Sequence, residues 1–154
     1  MSYPRTAFSE HLTERLWQLI EAHPLATLAV GVPDTPFVHM PLSLNEAKTH
    51  LVGHANPTNP LIKLDNARLH VLFTGPDAYL SPSQITGLSL PTWDYATVHI
   101  QGQIREIKHS DDKHAIMKRQ LSQFESHPTP GICRYLVRVK LQNYSLSCFF
   151  SKLR

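Results

Sequence analysis

The stretch YATVHIQGQIREI, residues 95–107, alternates apolar and polar residues along most of its length. Ala96, Val98 and Ile100 fall on one side of the alternation, which is the period-two pattern of a half-buried strand. The run is longer than most strands, and Gly102 lies where a long strand can bend. The stretch therefore predicts a long barrel strand that bends at Gly102.

Further β-rich runs lie on both sides of this strand. They cover residues 25–32, 37–44, 49–55, 68–75 and 78–83 before it, and residues 134–141 and 144–153 after it. The first two runs are separated only by the turn PDTP, which predicts a hairpin. Short connections between successive strands are typical of antiparallel pairing.

Two segments have the periodicity of helices that pack one face on a core. In residues 9–24 Ser9 is the predicted N-cap, Pro24 the stop, and the apolar face is Leu12, Leu16, Leu19 and Ile20. In residues 110–124 Ser110 is the predicted N-cap and the stripe is Met117, Leu121 and Phe124. The order predicts a mainly β (α+β) antiparallel barrel with flanking helices, in a single domain of residues 1–154.

The composition is that of a folded globular chain: 42% of the 154 residues are hydrophobic and 18% are charged. The net charge is +3 and the basic residues are scattered, so DNA is a possible partner that the sequence does not support. Cys133 and Cys148 lie far apart, which favours free thiols in a reducing cytoplasm. No run has the roughly 20 apolar residues that a membrane span needs.

Familiar catalytic and metal-binding motifs are missing from the sequence. It has no G-x-S-x-G, Walker or Rossmann motif and no H-E-x-x-H, and His39, His54 and His99 are not at local ligand spacing. No metal is therefore expected, and no catalytic residue can be named.

The stretch HANPTNPL, residues 54–61, contains two Asn-Pro steps directly after a predicted strand. Asn59 is a predicted cap for a short helix that begins at Pro60, and Asn56 with Pro57 repeats the arrangement. A helix start exposes unpaired N–H groups, which suit a phosphate. The alternative is that the stretch only turns the chain.

Five ordered blocks between His23 and Ile107 carry a resemblance to a known family. They are AHPLATLAV, HMPLSL, GHANPTNPL, VLFTGPDAYLSPS and LPTWDYATVHIQGQI. Together they resemble the FMN-binding negative transcriptional regulator family, the PaiB-like proteins. The resemblance implies an FMN-binding split barrel, similar to pyridoxamine phosphate oxidases and flavin reductases, and a homodimer with FMN in a cleft between subunits.

The resemblance also implies where the flavin lies. In FVHMPL, His39 would contact the phosphate or ribityl chain, or be a paired core histidine, while Met40, Pro41 and Leu42 would act through backbone groups or simply form a core strand. The phosphate end would be held by the block that contains His54, Ala55, Asn56 and Asn59.

The later blocks supply the remaining candidates. Ser81 would bond phosphate or only close its turn, Trp93 and Tyr95 would cover the flavin ring or only pack, and Thr97 would be a polar flavin contact. This strand is expected to reach the cofactor across the dimer. Only QITGLSL separates SPS from PTW and the chain ends in FSKLR, so the pocket edge is expected to differ from the family pattern.

Three functions remain open at this point. The first is a flavin-binding protein with a regulatory role, the second is a flavin-dependent oxidoreductase, and the third is a cofactor-free interaction module. No residue stands out as a catalytic acid or base, and no helix-turn-helix is recognisable.

Overall fold

The structure is a computed structural model that describes residues 9–10, 13–31, 37–84, 90–107, 110–125 and 135–149. Its helices are α1 (Thr13–Ala22), α2 (Ser110–Phe124) and a 3₁₀ helix (Pro60–Lys63). Its strands are β1 (Ser9–Glu10), β2 (Leu25–Val30), β3 (Val38–Pro41), β4 (Ser43–Leu44), β5 (His50–Ala55), β6 (Arg68–Leu80), β7 (Thr92–Ile107) and β8 (Tyr135–Phe149).

The eight strands form one antiparallel sheet in the order β3-β2-β6-β7-β8-β5-β4, and β1 pairs with β8. The two ends of this order approach each other at Gly53 of β5. A Cβ atom placed on Gly53 would lie 2.8 Å from the carbonyl oxygen of Pro41 in β3. The sheet therefore curls round until its ends touch without pairing, which is a split barrel and confirms the predicted fold class.

Two predicted breaks between strands are bulges within continuous strands. Residues 68–75 and 78–83 were expected to be separate, but β6 continues through Gly75 and Pro76, where two residues face one on β7. Residues 134–141 and 144–153 were also expected to be separate, but β8 continues through one extra residue, Gln142, opposite Gln101 and Gly102 of β7. A bulge turns a strand without ending it, so both predicted breaks are wrong, and the irregularity next to Gly102 lies on β8.

The first predicted hairpin is interrupted and the first helix begins later than expected. Residues 37–44 form β3 and β4 with Leu42 between them, and the Leu42 N–H bonds the Pro24 carbonyl at 2.9 Å. The prediction that Ser9 caps α1 is wrong, because Ser9 lies in β1 opposite Ser147. Leu12 lies outside the described residues.

The two long helices play different parts. In α1, Leu16, Trp17 and Ile20 are buried in the barrel core. The bounds predicted for α2 are confirmed, but its predicted stripe is partly wrong, since Phe124 is 48% exposed and Gln120 is buried. The α2 residues Ile116 and Met117 pack outside the barrel on Val52 and Ile107.

The core lies on the inward side of the alternating strands. Its fully buried side chains include Leu28, Leu51, Leu69, Val71, Phe73, Val98, Ile100 and Ile104. The predicted inward face of β7, which begins at Ala96, is confirmed. Every second residue of β2, β3, β6 and β7 consequently points away from the core, and this surface is called the outer face below.

Candidate functional site

The outer face brings together residues that are far apart in sequence. One row across the sheet runs from His39 in β3 through Thr27 and Leu72 to His99 in β7. The His39 Nδ1 atom lies 3.0 Å from the Thr27 hydroxyl. His39 is exposed and shares its side of β3 with Phe37 as predicted, so its alternative as a core histidine is wrong.

Two histidines meet in the middle of the outer face. His70 Nδ1 lies 2.9 Å from His99 Nε2, and the rings stack with centroids 5.0 Å apart. Partial burial, and secondarily the neighbouring His70, lower the pKa of His99 below the ordinary value of 6.5. The neutral form of His99 is therefore favoured. In the neutral pair one ring donates the hydrogen bond and the other accepts it.

The far end of the β6–β7 hairpin carries two exposed aromatic rings. Trp93 is 54% exposed and Tyr79 is 53% exposed, and their rings meet edge to face with centroids 5.9 Å apart. Tyr79 and Trp93 are directly opposite each other in the strand pairing. An aromatic surface in this position is available to a flat ring system.

The other candidates in this hairpin lie next to the aromatic pair. The Ser81 and Ser83 hydroxyls are 2.8 Å apart, and the Gln84 N–H bonds the Ser81 carbonyl. This is the geometry of a closed turn, which Ser81 was expected to make if it does not bond phosphate. Tyr95 lies opposite Asp77 and Thr97 lies opposite Thr74, and both candidates are half-buried.

Three candidates on β3 and β5 have buried side chains. Met40, Leu42 and Ala55 belong to the core cluster. Their side chains are closed to a ligand, which leaves backbone groups as the means by which they can act. Pro41 between them is half-buried and presents its carbonyl toward Gly53.

His54 points at α2. Its Nδ1 atom donates to Oε1 of Gln120 at 3.2 Å, and Gln120 Nε2 donates to the carbonyl of Val52 at 3.1 Å and to the Ser43 hydroxyl at 3.4 Å. Gln120 is only 3% exposed, so its amide is a buried connection between α2 and β5. This hydrogen bond connects His54 to a residue 66 positions later in the chain. The turn that contains Asn56 and Asn59 follows directly after β5.

The turn after β5 is built by its asparagines. Asn56 Oδ1 accepts from the Thr58 N–H at 3.0 Å and from the Thr58 hydroxyl at 2.9 Å. Asn59 Oδ1 accepts from the Leu61 N–H at 3.0 Å and caps the 3₁₀ helix, with Pro60 at its start. The predicted cap and helix start are confirmed, and the helix is a single 3₁₀ turn of four residues.

The candidates form two groups in one chain. The first group lies on β3, β5 and the turn after β5, and the second lies on the β6–β7 hairpin. Since β2 and β6 stand between β3 and β7, the β3 candidates are three strand steps, or about 14 Å, from the hairpin, and β5 is two steps, or about 10 Å, from β7 by way of β8. A cavity of about 540 Å³ lies elsewhere, on α2, and is lined by Glu46, Ala115, Ile116, Lys118, Arg119 and Ser122.

The two groups together offer what an FMN molecule requires. The exposed Tyr79 and Trp93 rings suit the flat flavin ring, and the His39 and Thr27 polar groups suit a hydroxylated chain. The amides of Asn56 and Asn59 can donate to a phosphate. The residues therefore fit the chemistry of FMN, on an open surface.

Sequence reasoning missed Tyr79, His70, His99 and Gln120 as interacting residues. Each of these residues interacts with a partner on another strand or helix. Tyr79 contacts Trp93, Gln120 bonds His54, and His70 and His99 contact each other. The only local signal was the outward position of the two histidines on alternating strands.

Two further properties concern the described part of the chain. Within it, no group of three or more His, Cys, Asp or Glu side chains is placed to hold a metal ion. Also within it, none of the helices has the length and apolar character required to cross a bilayer.

Residues 2–145 match the family described as "Putative FMN-binding domain". The chain is also similar to the Protease synthase and sporulation protein PAI 2 of Bacillus subtilis (strain 168), with 28% identity over 119 residues. That match covers 74% of this chain and 57% of the relative, so the chain spans little more than half the length of that protein.

Solved structures share the fold at low identity. The FAD and heme binding protein from Mycobacterium smegmatis has a TM-score of 0.74 at 19% identity, covering 92% of this chain and 73% of its own. The flavocytochrome Anf3 from Azotobacter vinelandii has 0.77 at 11% identity, covering 97% and 73%. The general stress FMN/FAD binding protein from Xanthomonas citri has 0.60 at 17% identity, covering 93% and 92%.

The family match spans nearly the whole chain, and the described strands form the split barrel that the family resemblance implied. The chain therefore belongs to the PaiB-like family of FMN-binding domains, and it is a flavin-binding split-barrel protein with FMN as its cofactor.

Proposed function

We propose that this chain acts as a homodimeric, PaiB-like flavoprotein in which FMN lies between two subunits and serves a regulatory or redox role. The observation that carries the proposal is the separation of the β3 candidates from the β6–β7 hairpin by three strand steps, or about 14 Å, across one outer face. In a single chain the side chains of His39 and Asn56 in the first group and of Trp93 in the second are open to solvent. A second copy would bring the aromatic hairpin of one subunit over the β3 region of the other.

Each group has a distinct part in this proposal. Tyr79 and Trp93 cover the flavin ring, and Thr97 offers a hydroxyl beside it. His39 contacts the sugar chain, and the amides of Asn56 and Asn59 hold the phosphate end. FMN supplies the electron-carrying chemistry when it is bound, and the protein binds and orients it.

The regulatory role is the part of the proposal that the family resemblance supports. The two described long helices, α1 and α2, are separated by six strands and by most of the chain, so they are not a helix-turn-helix pair. If the protein regulates transcription, these two helices do so without forming such a motif. Its two widely spaced cysteines support the proposal that it works in a reducing cytoplasm.

The test of this proposal is to titrate the purified protein with FMN and to measure its size by sedimentation. We expect absorption bands at about 370 and 450 nm that remain with the protein after gel filtration. We also expect a species of twice the 17.5 kDa chain mass at micromolar concentration. A monomer that retains no flavin would overturn the proposal.

A second measurement separates the two roles. NADH or NADPH is added to the FMN-loaded protein while the 450 nm band is followed. Loss of the band at a catalytic rate, with recovery in air, would assign a redox role. An unchanged band would leave the regulatory role.

A further inference from the structure

The outer face is unusual in how few charges it carries. The residues in its central part are Leu25, Thr27 and Ala29 on β2, Phe37 and His39 at β3, Arg68, His70, Leu72 and Thr74 on β6, and Thr97, His99, Gln101 and Gln103 on β7. Among these central positions there is no carboxylate, and Arg68 is the only permanent cation. Farther along the same face, Asp77 and Arg105 lie toward opposite ends of the β6–β7 pair. Interface cores are depleted of charge in the same way.

The same face exposes large apolar side chains. Phe37 is 71% exposed, Leu25 is 62% exposed, and Leu72 is also exposed in the row between His39 and His99. A face whose central part is apolar, almost free of charge and able both to donate and to accept hydrogen bonds complements a second copy of itself. It offers little to a polyanion, since its described cations are Arg68 and Arg105 and the carboxylate of Asp77 lies on the same face.

The charged and titratable groups around the histidine pair are few. On β6 the nearest is Arg68, two residues before His70, and on β7 both neighbours of His99 on this face, Thr97 and Gln101, are uncharged. On β2 the facing residues are Thr27 and Ala29, and beyond them β3 contributes His39. On β8 the residues opposite in register are Ser145 and Asn143.

We propose that two copies of this chain associate through the outer face, and that the His70–His99 pair makes this association require neutral imidazoles. The inference rests on the homodimer of the proposed function. It adds which face forms the dimer interface and which residues make dimerisation depend on pH.

The physical reason is the desolvation of the pair. Association would bury imidazoles that already touch at 2.9 Å, with no described carboxylate in the central part of the face to balance a charge. Burial disfavours the protonated form, so the dimer binds fewer protons than the separated chains and acid favours dissociation.

The size of the effect follows from the symmetry. A two-fold dimer contains the pair twice. Each histidine whose pKa falls by one unit on association weakens the dimer up to about tenfold once it is protonated. We therefore expect the dissociation constant to rise at least about tenfold between about pH 8 and about pH 5.5, either side of the usual histidine pKa of about 6.5.

The experiment is sedimentation of the full chain at both pH values, with far-UV circular dichroism to set the lower pH within the range where the fold is intact. Four proteins are compared: the unmutated chain, the double variant His70→Gln/His99→Gln, the control His114→Gln, and Leu25→Glu. His114 is exposed on α2, away from the outer face.

We expect the unmutated chain and His114→Gln to dissociate in acid, and the double variant to remain dimeric at both pH values. Leu25→Glu should be monomeric at both, and Phe37→Glu serves the same purpose if Leu25→Glu does not fold. A dimer at about pH 8 that survives acid, or that tolerates both glutamates, would overturn this inference while leaving the homodimer standing. A monomer at about pH 8 would overturn both proposals.

Discussion

At the scale of single residues, a few atoms determine how the candidate site is shaped. Asn56 Oδ1 receives two hydrogen bonds from Thr58 and thereby sets the turn that follows β5. Gly53 has no side chain, and this absence lets β5 pass within contact of Pro41. The two positions allow the turn and the barrel closure to be tested separately.

Two substitutions at Asn56 should rank in opposite order for stability and for FMN binding. Aspartate keeps the oxygen that accepts from Thr58, whereas alanine loses both bonds and should cost about 1 kcal/mol of stability. If the turn holds the flavin phosphate, aspartate should weaken FMN binding more than alanine, because its charge repels the phosphate.

The measurements are thermal unfolding and FMN fluorescence titration of both variants. Unchanged FMN affinity in Asn56→Asp would mean that the asparagine serves only the turn. The unmutated protein is the reference for both quantities.

Substitution of Gly53 should destabilise the barrel where its ends meet. A Cβ atom there would lie 2.6 Å from Leu42 Cδ2 and 2.8 Å from the Pro41 carbonyl oxygen, and the backbone oxygen cannot move away cheaply. We expect Gly53→Ala to lower the free energy of unfolding by about 1–3 kcal/mol in urea denaturation.

Gly31→Ala is the matched control for Gly53, because a Cβ atom there meets nothing within 4 Å. It should change stability by less than about 1 kcal/mol. Equal effects of the two substitutions would show that the close approach of β3 and β5 does not limit what position 53 can hold.

At the scale of elements, α2 is held to the barrel by one buried polar side chain as well as by apolar contacts. Gln120 reaches His54 and the Val52 carbonyl of β5 and the Ser43 hydroxyl of β4. Ile116 and Met117 pack beside it. The helix therefore joins two strands next to the candidate phosphate turn.

Replacing the Gln120 amide with an apolar side chain should lower the free energy of unfolding, even though the position is buried. In Gln120→Leu the buried Val52 carbonyl and Ser43 hydroxyl lose a donor, so we expect a loss of about 1–3 kcal/mol in the free energy of unfolding. Gln123→Leu, on the exposed side of the same helix, should stay within about 0.5 kcal/mol. Urea denaturation of both variants measures the difference, and a neutral Gln120→Leu would mean that packing alone holds α2.

At the scale of the whole molecule, the fold offers a broad face with few charges and, among its described residues, no helix-turn-helix. Its net charge of +3 comes from scattered residues. Contacts that the described residues make with DNA would consequently be to phosphates, which carry no sequence information.

We therefore expect DNA binding, if it is detected, to be weak and to fall steeply with salt. Fluorescence anisotropy with a labelled duplex, measured in increasing salt, tests this directly. A sequence-specific complex that survives about 200 mM salt would contradict it.

The sequence by itself determined the parts of the protein that depend on neighbouring residues. Alternation predicted the inward face of β7, the bounds of α2 are those predicted, and Asn59 caps the helix that its Asn-Pro step indicated. Ordered short motifs led to the FMN-binding family. These features follow from backbone preferences and side-chain periodicity within a few residues.

Only the tertiary structure decided features that depend on pairing between distant segments. Strand β6 runs through Gly75 and Pro76, and strand β8 through Gln142, because each is held on β7 on both sides of its bulge. His54 bonds Gln120, which is 66 residues away in the sequence, and His70 of β6 contacts His99 of the neighbouring strand β7. A local pattern shows which way a side chain points, but strand register and helix docking determine what it touches.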